Sequence, residues 1–261
     1  MPIFINTCVY ADGSLNKMKD YIDKYGDDVA FEILSKADTF EWDKEMETVL
    51  DMLSNTRIGF HGPVWEAEHS AKKGTKEYDH TMEMIYRTAK FAKILNCEHV
   101  VYHLNNCEVV DGMQDEMLKN SLENLKEIRE IFDFSKIFVE NTGTKVQKNA
   151  LLTQSEFTDL CRDQKFDVLI DIGHAHANGW DLYKILDDLG PQIRAFHLHN
   201  NDGQHDLHNR LLDGTFDFDK WIRVAKEKLP DAKYIIEYIR PAYEGQPLME
   251  DFEYLRNILN N

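Results

Sequence analysis

The 261 residues include 47 acidic and 30 basic side chains, for a formal charge of −17, with 43% hydrophobic and 11% aromatic content. That much apolar material excludes a disordered chain. The acidic surplus argues against a protein that works by blanketing nucleic-acid phosphates, which takes clustered Lys and Arg. No run of 18 apolar residues occurs, and no charged-then-apolar leader is read, since Met1-Pro2-Ile3-Phe4 passes straight into a strand-like run. The four cysteines (Cys8, Cys97, Cys107, Cys161) are scattered without a Cys-x-x-Cys pair. A soluble cytoplasmic protein with reduced thiols is expected.

In chain order, the runs that read as strands are IFINTC (3–8), VAFEIL (29–34), IGFHGP (58–63), HVVYHL (99–104), IFVENT (137–142), VLIDIG (168–173), IRAFHLH (193–199) and KYIIEYI (233–239). Between them, apolar residues recur three and four apart over 14–26, 41–54, 78–95, 114–132, 153–162, 180–189, 217–228 and 249–259, which predicts amphipathic helices. Strict alternation of eight strands and eight helices without a linker implies a parallel sheet with right-handed crossovers. The size fits one closed (β/α)8 TIM barrel spanning 1–261. A doubly wound open sheet competes less well, because no Gly-rich loop follows the first strand.

In a parallel barrel the active groups come from the C-terminal ends of the strands. Those ends present His61, His103, Glu140, Asp171 followed by His174, His199 followed by Asp206 and His208, and Glu237. Any one of these is most simply a hydrogen-bonded rim residue. Together they concentrate carboxylates that need a counter-charge when buried, and the strands offer Arg57, Lys136, Arg194 and Lys233 only at their starts, on the opposite face. A divalent cation is the economical solution, and a mixed imidazole–carboxylate set suits zinc, manganese, cobalt or iron better than calcium or magnesium. His69, His80 and His99 are expected on the surface, the cysteines in packing roles, and the acidic helix faces at 41–47 and 114–130 in solvent.

The stretch AFHLHNNDGQHDLHNRL (195–211) holds four of the eleven histidines. Residues two apart on a strand share a face, so His197 and His199 both point inward, with His199 about 6.6 Å nearer the rim. His199 is therefore the expected ligand, and His197 a packing or supporting residue beneath it.

The segments VENTG (139–143), IDIGHAHANGWD (170–181), HLHNNDGQHDLH (197–208) and IIEY (235–238) resemble, in this order, the xylose isomerase-like TIM barrels. These are sugar phosphate isomerases and epimerases, with the DNA-repair enzyme endonuclease IV as a distant relative. The resemblance implies one divalent metal (zinc, manganese or cobalt) held by Glu140, Asp171, His199 and Glu237. It makes Glu140 and Glu237 the acid/base pair and His174 a substrate contact. His61, His103 and Trp65 are further expected substrate contacts, with Trp180 a second candidate wall for a sugar ring.

In the endonuclease branch the same four residues hold one ion of a trinuclear zinc site. The other ligands of that site match His61, His103, His174, Asp206 and His208, so a second or third ion is implied as an alternative. The run Asp171-Ile172-Gly173-His174 is of the isomerase style, whereas the endonucleases carry Asp-Thr-Cys-His there. The strand 3 segment FHGPVWEAEH also lacks their DNA-opening continuation.

The implied activity is isomerisation or epimerisation of a small ketose or keto-polyol. Proton transfer by the two glutamates would proceed through a metal-stabilised enediolate. A zinc phosphodiesterase or apurinic endonuclease is the alternative. A dehydratase using the same enolate chemistry, or a non-catalytic sugar sensor, follow. The expected partner is a small sugar-like molecule rather than nucleic acid or membrane, with Lys145 and Arg210 as candidate clamps for a phosphate. The sequence leaves the oligomeric state open.

Overall fold

The computed structural model describes residues 2–10, 14–37 and 39–260. The strands are β1 (Ile3–Asn6), β2 (Val29–Leu34), β3 (Ile58–His61), β4 (His99–His103), β5 (Lys136–Glu140), β6 (Asp167–Asp171), β7 (Ile193–Leu198) and β8 (Lys233–Ile236). Each pairs in parallel with its sequence neighbour, and β8 returns to β1 to close the barrel. Helices α1 (Met18–Tyr25), α2 (Phe40–Leu53), α3 (Lys76–Ile94), α4 (Gln114–Ile131) and α5 (Gln154–Gln164) follow the first five strands. A short α6 (Ile172–Ala177), then α7 (Leu182–Leu189), α8 (Phe218–Lys228) and α9 (Gln246–Asn260), complete the outer layer.

Local chemistry starts these helices where the spacing predicts. The Thr39 hydroxyl accepts from the Trp42 backbone N–H at the head of α2, whose buried face is Trp42, Met46, Val49 and Leu53. Thr153 and Glu156 form a reciprocal capping box on α5. The expected strands and long helices are all present, with strand ends trimmed. One element departs from expectation: β6 stops at Asp171 rather than 173, and α6 begins at once. The Asp171 carboxylate accepts from the His174 backbone N–H and so caps a helix where the apolar run suggested more strand.

Inside the barrel, seven strands contribute an apolar residue to one small cluster: Phe4, Ala30, Val101, Phe138, Leu169, Ala195 and Ile235. On β3 the neighbouring inward residue is Gly59, and the His99 ring fills the space its side chain would take. A Cβ at Gly59 would lie 2.1 Å from His99 Cε1.

His99 therefore corrects the surface expectation, as does His69; the two are 0% and 1% exposed. The first residue of β4 points inward, and the His99 ring stacks on Phe138 at 4.8 Å. His69 Nδ1 donates to the His103 carbonyl at 2.9 Å, and its ring stacks on Tyr102. His80 is exposed, as expected. Cys8, Cys97 and Cys161 are buried, whereas Cys107 is exposed on the loop after β4 and is not a packing residue. Among the described residues, no helix is long and apolar enough to cross a membrane.

Candidate metal centre and active site

His61, His103, Glu140 and Asp171 are the last residues of β3, β4, β5 and β6, and His199 and Glu237 lie one residue beyond β7 and β8. His61, His103, Glu140, His174, Asp206, His208 and Glu237 line one cavity of about 450 Å³ at this end of the barrel. Asp171 and His199 are fully buried in its floor. The structure thus brings all nine sequence-identified residues to one place.

Hydrogen bonds fix how the rings face. His61 Nδ1 donates to the Gly62 carbonyl at 2.9 Å. His103 Nδ1 donates to Asn106 Oδ1 at 2.8 Å, and the Asn106 amide is oriented by its own bond to the Ala67 carbonyl at 2.8 Å. Both rings therefore turn Nε2 inward, and those two atoms sit 3.2 Å apart. Glu140 Oε2 joins them, 3.0 Å from His103 and 3.6 Å from His61. Two ring nitrogens and a carboxylate oxygen thus converge in a buried space, where ring protons or a divalent ion would balance the carboxylate charge.

A second grouping comes from α6 and the loop after β7. His174 Nε2 lies 3.2 Å from Asp206 Oδ2, and His208 Nε2 lies 3.2 Å from Asp206 Oδ1. His208 Nδ1 donates to the Glu237 carbonyl at 3.1 Å, which again leaves Nε2 as the inward donor. His208 adopts φ +46°, a conformation that is strained for a residue bearing a side chain. Between the two groupings, Asp171 serves twice. Its Oδ1 accepts from the His174 backbone N–H at 2.7 Å, and its Oδ2 lies 3.0 Å from His199 Nε2. Gly173 admits that ring, since a Cβ there would meet His199 Cε1 at 1.9 Å. His199 also stacks on His208 at 3.9 Å. Buried nitrogens without a hydrogen-bond partner point into the same region: Nδ1 of His174, His197 and His199.

The electrostatics follow from this crowding. Burial works against the charged form of Asp171, yet the neighbouring His174 and His199 hold its pKa at about 2. Burial likewise opposes ionisation of Glu140 and Asp206, and nearby imidazoles (His103 and His197 for Glu140, His208 and His174 for Asp206) pull both well below the usual carboxylate range. Burial disfavours the cation at His208, but Asp206 raises its pKa to about 9. His174 rises against burial in the same way, through Asp171 and Asp206. Protons on the rings supply the positive charge that a divalent ion would supply on displacing them. Mutually close donor atoms occur as His61–Glu140–His197, His174–Asp206–His208, His199–His208–Glu237 and Glu140–Asp171–His174, each set within 4.8 Å. The donors are nitrogen and carboxylate oxygen, so this chain's residues fit a zinc-, manganese- or cobalt-like ion.

The remaining expectations divide. Trp65 lines the cavity mouth, with the Lys36 ammonium 5.4 Å from its ring centre. Trp180 does not line this cavity and packs on Phe157 at 5.8 Å. Lys145 donates to the Asn178 carbonyl, and Arg210 is held by Asp251 and Glu250; neither lines the cavity, which has no Lys or Arg among its lining residues. Sequence reasoning missed the amide-bearing wall of Asn105, Asn106, Gln147 and Asn149, and it missed the buried pair Asn6 and Glu32. Glu32 gave the same signal as Glu237, a lone carboxylate inside an apolar strand. The amides sit on loops that lack any periodic pattern.

The family model described as a xylose isomerase-like TIM barrel matches residues 67–258. The chain belongs to that family. An uncharacterized protein of Methanocaldococcus jannaschii, MJ1311, is 23% identical over 263 residues, covering 97% of this chain and 89% of the relative. Among solved structures, a D-tagatose 3-epimerase-like protein superposes with TM-score 0.75 at 21% identity, covering 100% of this chain and 97% of that one. An IolI protein with a bound zinc atom gives TM-score 0.76 at 18% identity, covering 99% and 96%. An AP endonuclease of family 2 from Brucella melitensis gives 0.73 at 14%, covering 98% and 99%. At these identities the superpositions speak for the fold, and family membership rests on the sequence match.

Proposed function

We propose that the protein is a divalent-metal-dependent isomerase or epimerase of a small polyhydroxylated carbonyl compound. One observation carries this reading: Glu140 and Glu237, from the ends of β5 and β8, three strands apart around the barrel, both open onto the same cavity, about 450 Å³ in volume. Glu140, Asp171, His199 and Glu237 would hold the ion. When bound, a divalent ion supplies Lewis-acid polarisation of a carbonyl and fixes its oxygen. The chain's own groups do the rest. The Asn6 amide donates to Glu237 Oε1 at 3.0 Å and orients the carboxylate, so that one oxygen would hold the ion and the other would take or return a proton beside the carbonyl. Glu140 serves from the other face. His174, His61, His103 and Trp65 line the space around the substrate, and the amide wall offers neutral partners for hydroxyl groups.

The decisive experiment incubates the metal-loaded protein with a panel of ketopentoses and ketohexoses in deuterated water. Deuterium is expected at the carbon next to the carbonyl; no exchange with any member would overturn the reading.

A second reading, metal-assisted phosphoester hydrolysis, is favoured by one observation: the additional convergent sets His61–His103–Glu140 and His174–Asp206–His208. A cavity without a lining Lys or Arg opposes a nucleic-acid substrate. Elemental analysis separates the two. Three zincs per chain with phosphodiesterase activity supports the second reading, and one ion per chain with deuterium exchange supports the first.

A further inference from the structure

Directly beneath the metal-facing ring lies a polar layer that neither the family match nor the proposed chemistry assigns. Glu32 of β2 is fully buried and is bonded to three other strands. Its Oε1 accepts from Asn6 Nδ2 of β1 at 2.8 Å and from His197 Nε2 of β7 at 2.8 Å. Its Oε2 accepts from His99 Nε2 of β4 at 2.9 Å. The far nitrogen of His99 accepts from Lys233 Nζ at 3.0 Å, and Lys233 also donates to Glu98 at 2.6 Å.

Two of these contacts reach upward. Asn6 Oδ1 accepts from the Cys8 backbone N–H at 2.9 Å, so the amide has one orientation, and its remaining N–H donates to Glu237 Oε1 at 3.0 Å. His197, tied below through Nε2, places Nδ1 3.5 Å from Glu140 Oε1 and 3.5 Å from Glu237 Oε2. Glu237 lies just past the end of β8, and the Asn6 amide is its one side-chain partner within 3.0 Å among the described residues.

We propose that Glu32 is a positioning residue for the metal site, fixing Glu237 through Asn6 and holding the His197 ring edge between Glu140 and Glu237. The proposal rests on the reading of the upper ring as a metal site. Partners lying behind the ligands orient them, and losing one typically weakens metal binding about 10- to 100-fold. An apolar side chain at position 32 would fill the space but leave the Asn6, His99 and His197 donors unmatched, so the ligands above would lose their common reference.

The test uses cobalt(II) alone as probe, with wild type, Glu32→Gln and Asn6→Ala. Titration calorimetry gives the dissociation constant, and visible absorption reports the coordination geometry of the ion. Nitrogen-15 imidazole spectra of the metal-free proteins report whether the His197 Nε2 proton stays in place. We expect both variants to bind cobalt about 10- to 100-fold more weakly with altered absorption bands, and the His197 resonance to shift in Glu32→Gln. A purely structural role would lower the melting temperature but leave the cobalt spectrum and affinity of the folded protein unchanged, and that outcome overturns the proposal. Should Glu32→Gln fail to fold, Asn6→Ala decides, since it removes the amide bridge and the Cys8 backbone contact but leaves Glu32 with His99 and His197. If the wild type takes up no cobalt, the metal-site reading falls and this inference with it. If the wild type binds and the variants match it, only this inference falls.

Discussion

The ring at the strand ends and the layer beneath it are both buried, are both built from imidazole and carboxylate, and meet on β7 and just beyond it at His199 and His197. They differ in how their charge is matched. In the lower layer Glu32 and Glu98 face Lys233, with Arg57 on Glu98, and each ring nitrogen of His99 has a defined partner. In the upper ring no Lys or Arg lies among the residues that line the cavity; Glu140, Asp171 and Asp206 face histidines, Glu237 faces histidines and the Asn6 amide, and two of the rings bring their Nε2 atoms within 3.2 Å. A buried polar group is stable when its partners are inside the chain. The lower layer finds its partners inside the chain except at His197 Nδ1, which faces the upper ring; the upper ring balances its carboxylates with protons on His174 and His208, which a divalent ion would displace.

The sharpest break of this comparison is at the chemistry itself. Glu237→Gln keeps the shape and the Asn6 contact on Oε1 but removes a proton acceptor and a charged ligand. Deuterium exchange into the substrate should fall by about 10³-fold or more, within the range for losing a general base, and more if the ion is lost as well. Retention of exchange would remove Glu237 from its assigned role.

Stability should separate the two regions next. In the metal-free protein, Glu32→Leu leaves the Asn6, His99 and His197 donors without an acceptor and should cost about 3–5 kcal/mol, the usual consequence of breaking a buried charged network by one member. Glu140→Gln in the same metal-free protein gives up the charge that His103 and His197 face but keeps an amide oxygen that can still accept from a ring N–H, so it should cost less than Glu32→Leu. Urea denaturation without metal measures both, and equal losses would erase the distinction between the two layers.

This comparison also shows what was readable in the sequence. Short apolar runs and period-3.6 patterns located each strand and long helix, because strands buried on both faces and helices buried on one impose them directly. The rim residues were legible because a barrel fixes which end of a strand carries chemistry, so nine polar residues at the ends of six strands could be pooled without knowing a single distance. His99 and Glu32 were not legible as a pair. They sit on β2 and β4, 67 residues apart, and only barrel closure brings them to one axis. His174 was found, but its placement on α6 was not, since that helix depends on the Asp171 carboxylate capping rather than on any apolar period.

A smaller effect should appear in pH dependence. The folded, metal-free protein raises His208 from the ordinary value of 6.5 to about 9. Its protonation therefore stabilises the fold fully below pH 6.5, and that contribution is lost as pH rises through 9. Metal uptake must expel the same proton, so cobalt or zinc affinity should climb with pH over this interval. Thermal melts of the metal-free protein and titrations between pH 6.5 and 9 should move in opposite directions; parallel changes would show that His208 takes no part in metal uptake.

The smallest effect is expected within the histidine-rich segment itself, where His205 and His208 stand three residues apart. His205 Nδ1 pairs with Asp202 at 2.8 Å in an exposed turn, with more than half of its side chain in solvent. His208 is buried, holds the Glu237 carbonyl and faces Asp206. His205→Ala gives up only a screened surface pair, so melting temperature, metal content and exchange rate should match wild type. His208→Ala removes a buried donor and a bond to the backbone that carries Glu237, so it should lower metal content or affinity measurably. Metal analysis of the two variants side by side tests whether burial and convergence, rather than histidine density along the chain, define the site. An equal loss in both would mean that the loop as a whole, and not the buried ring, governs binding.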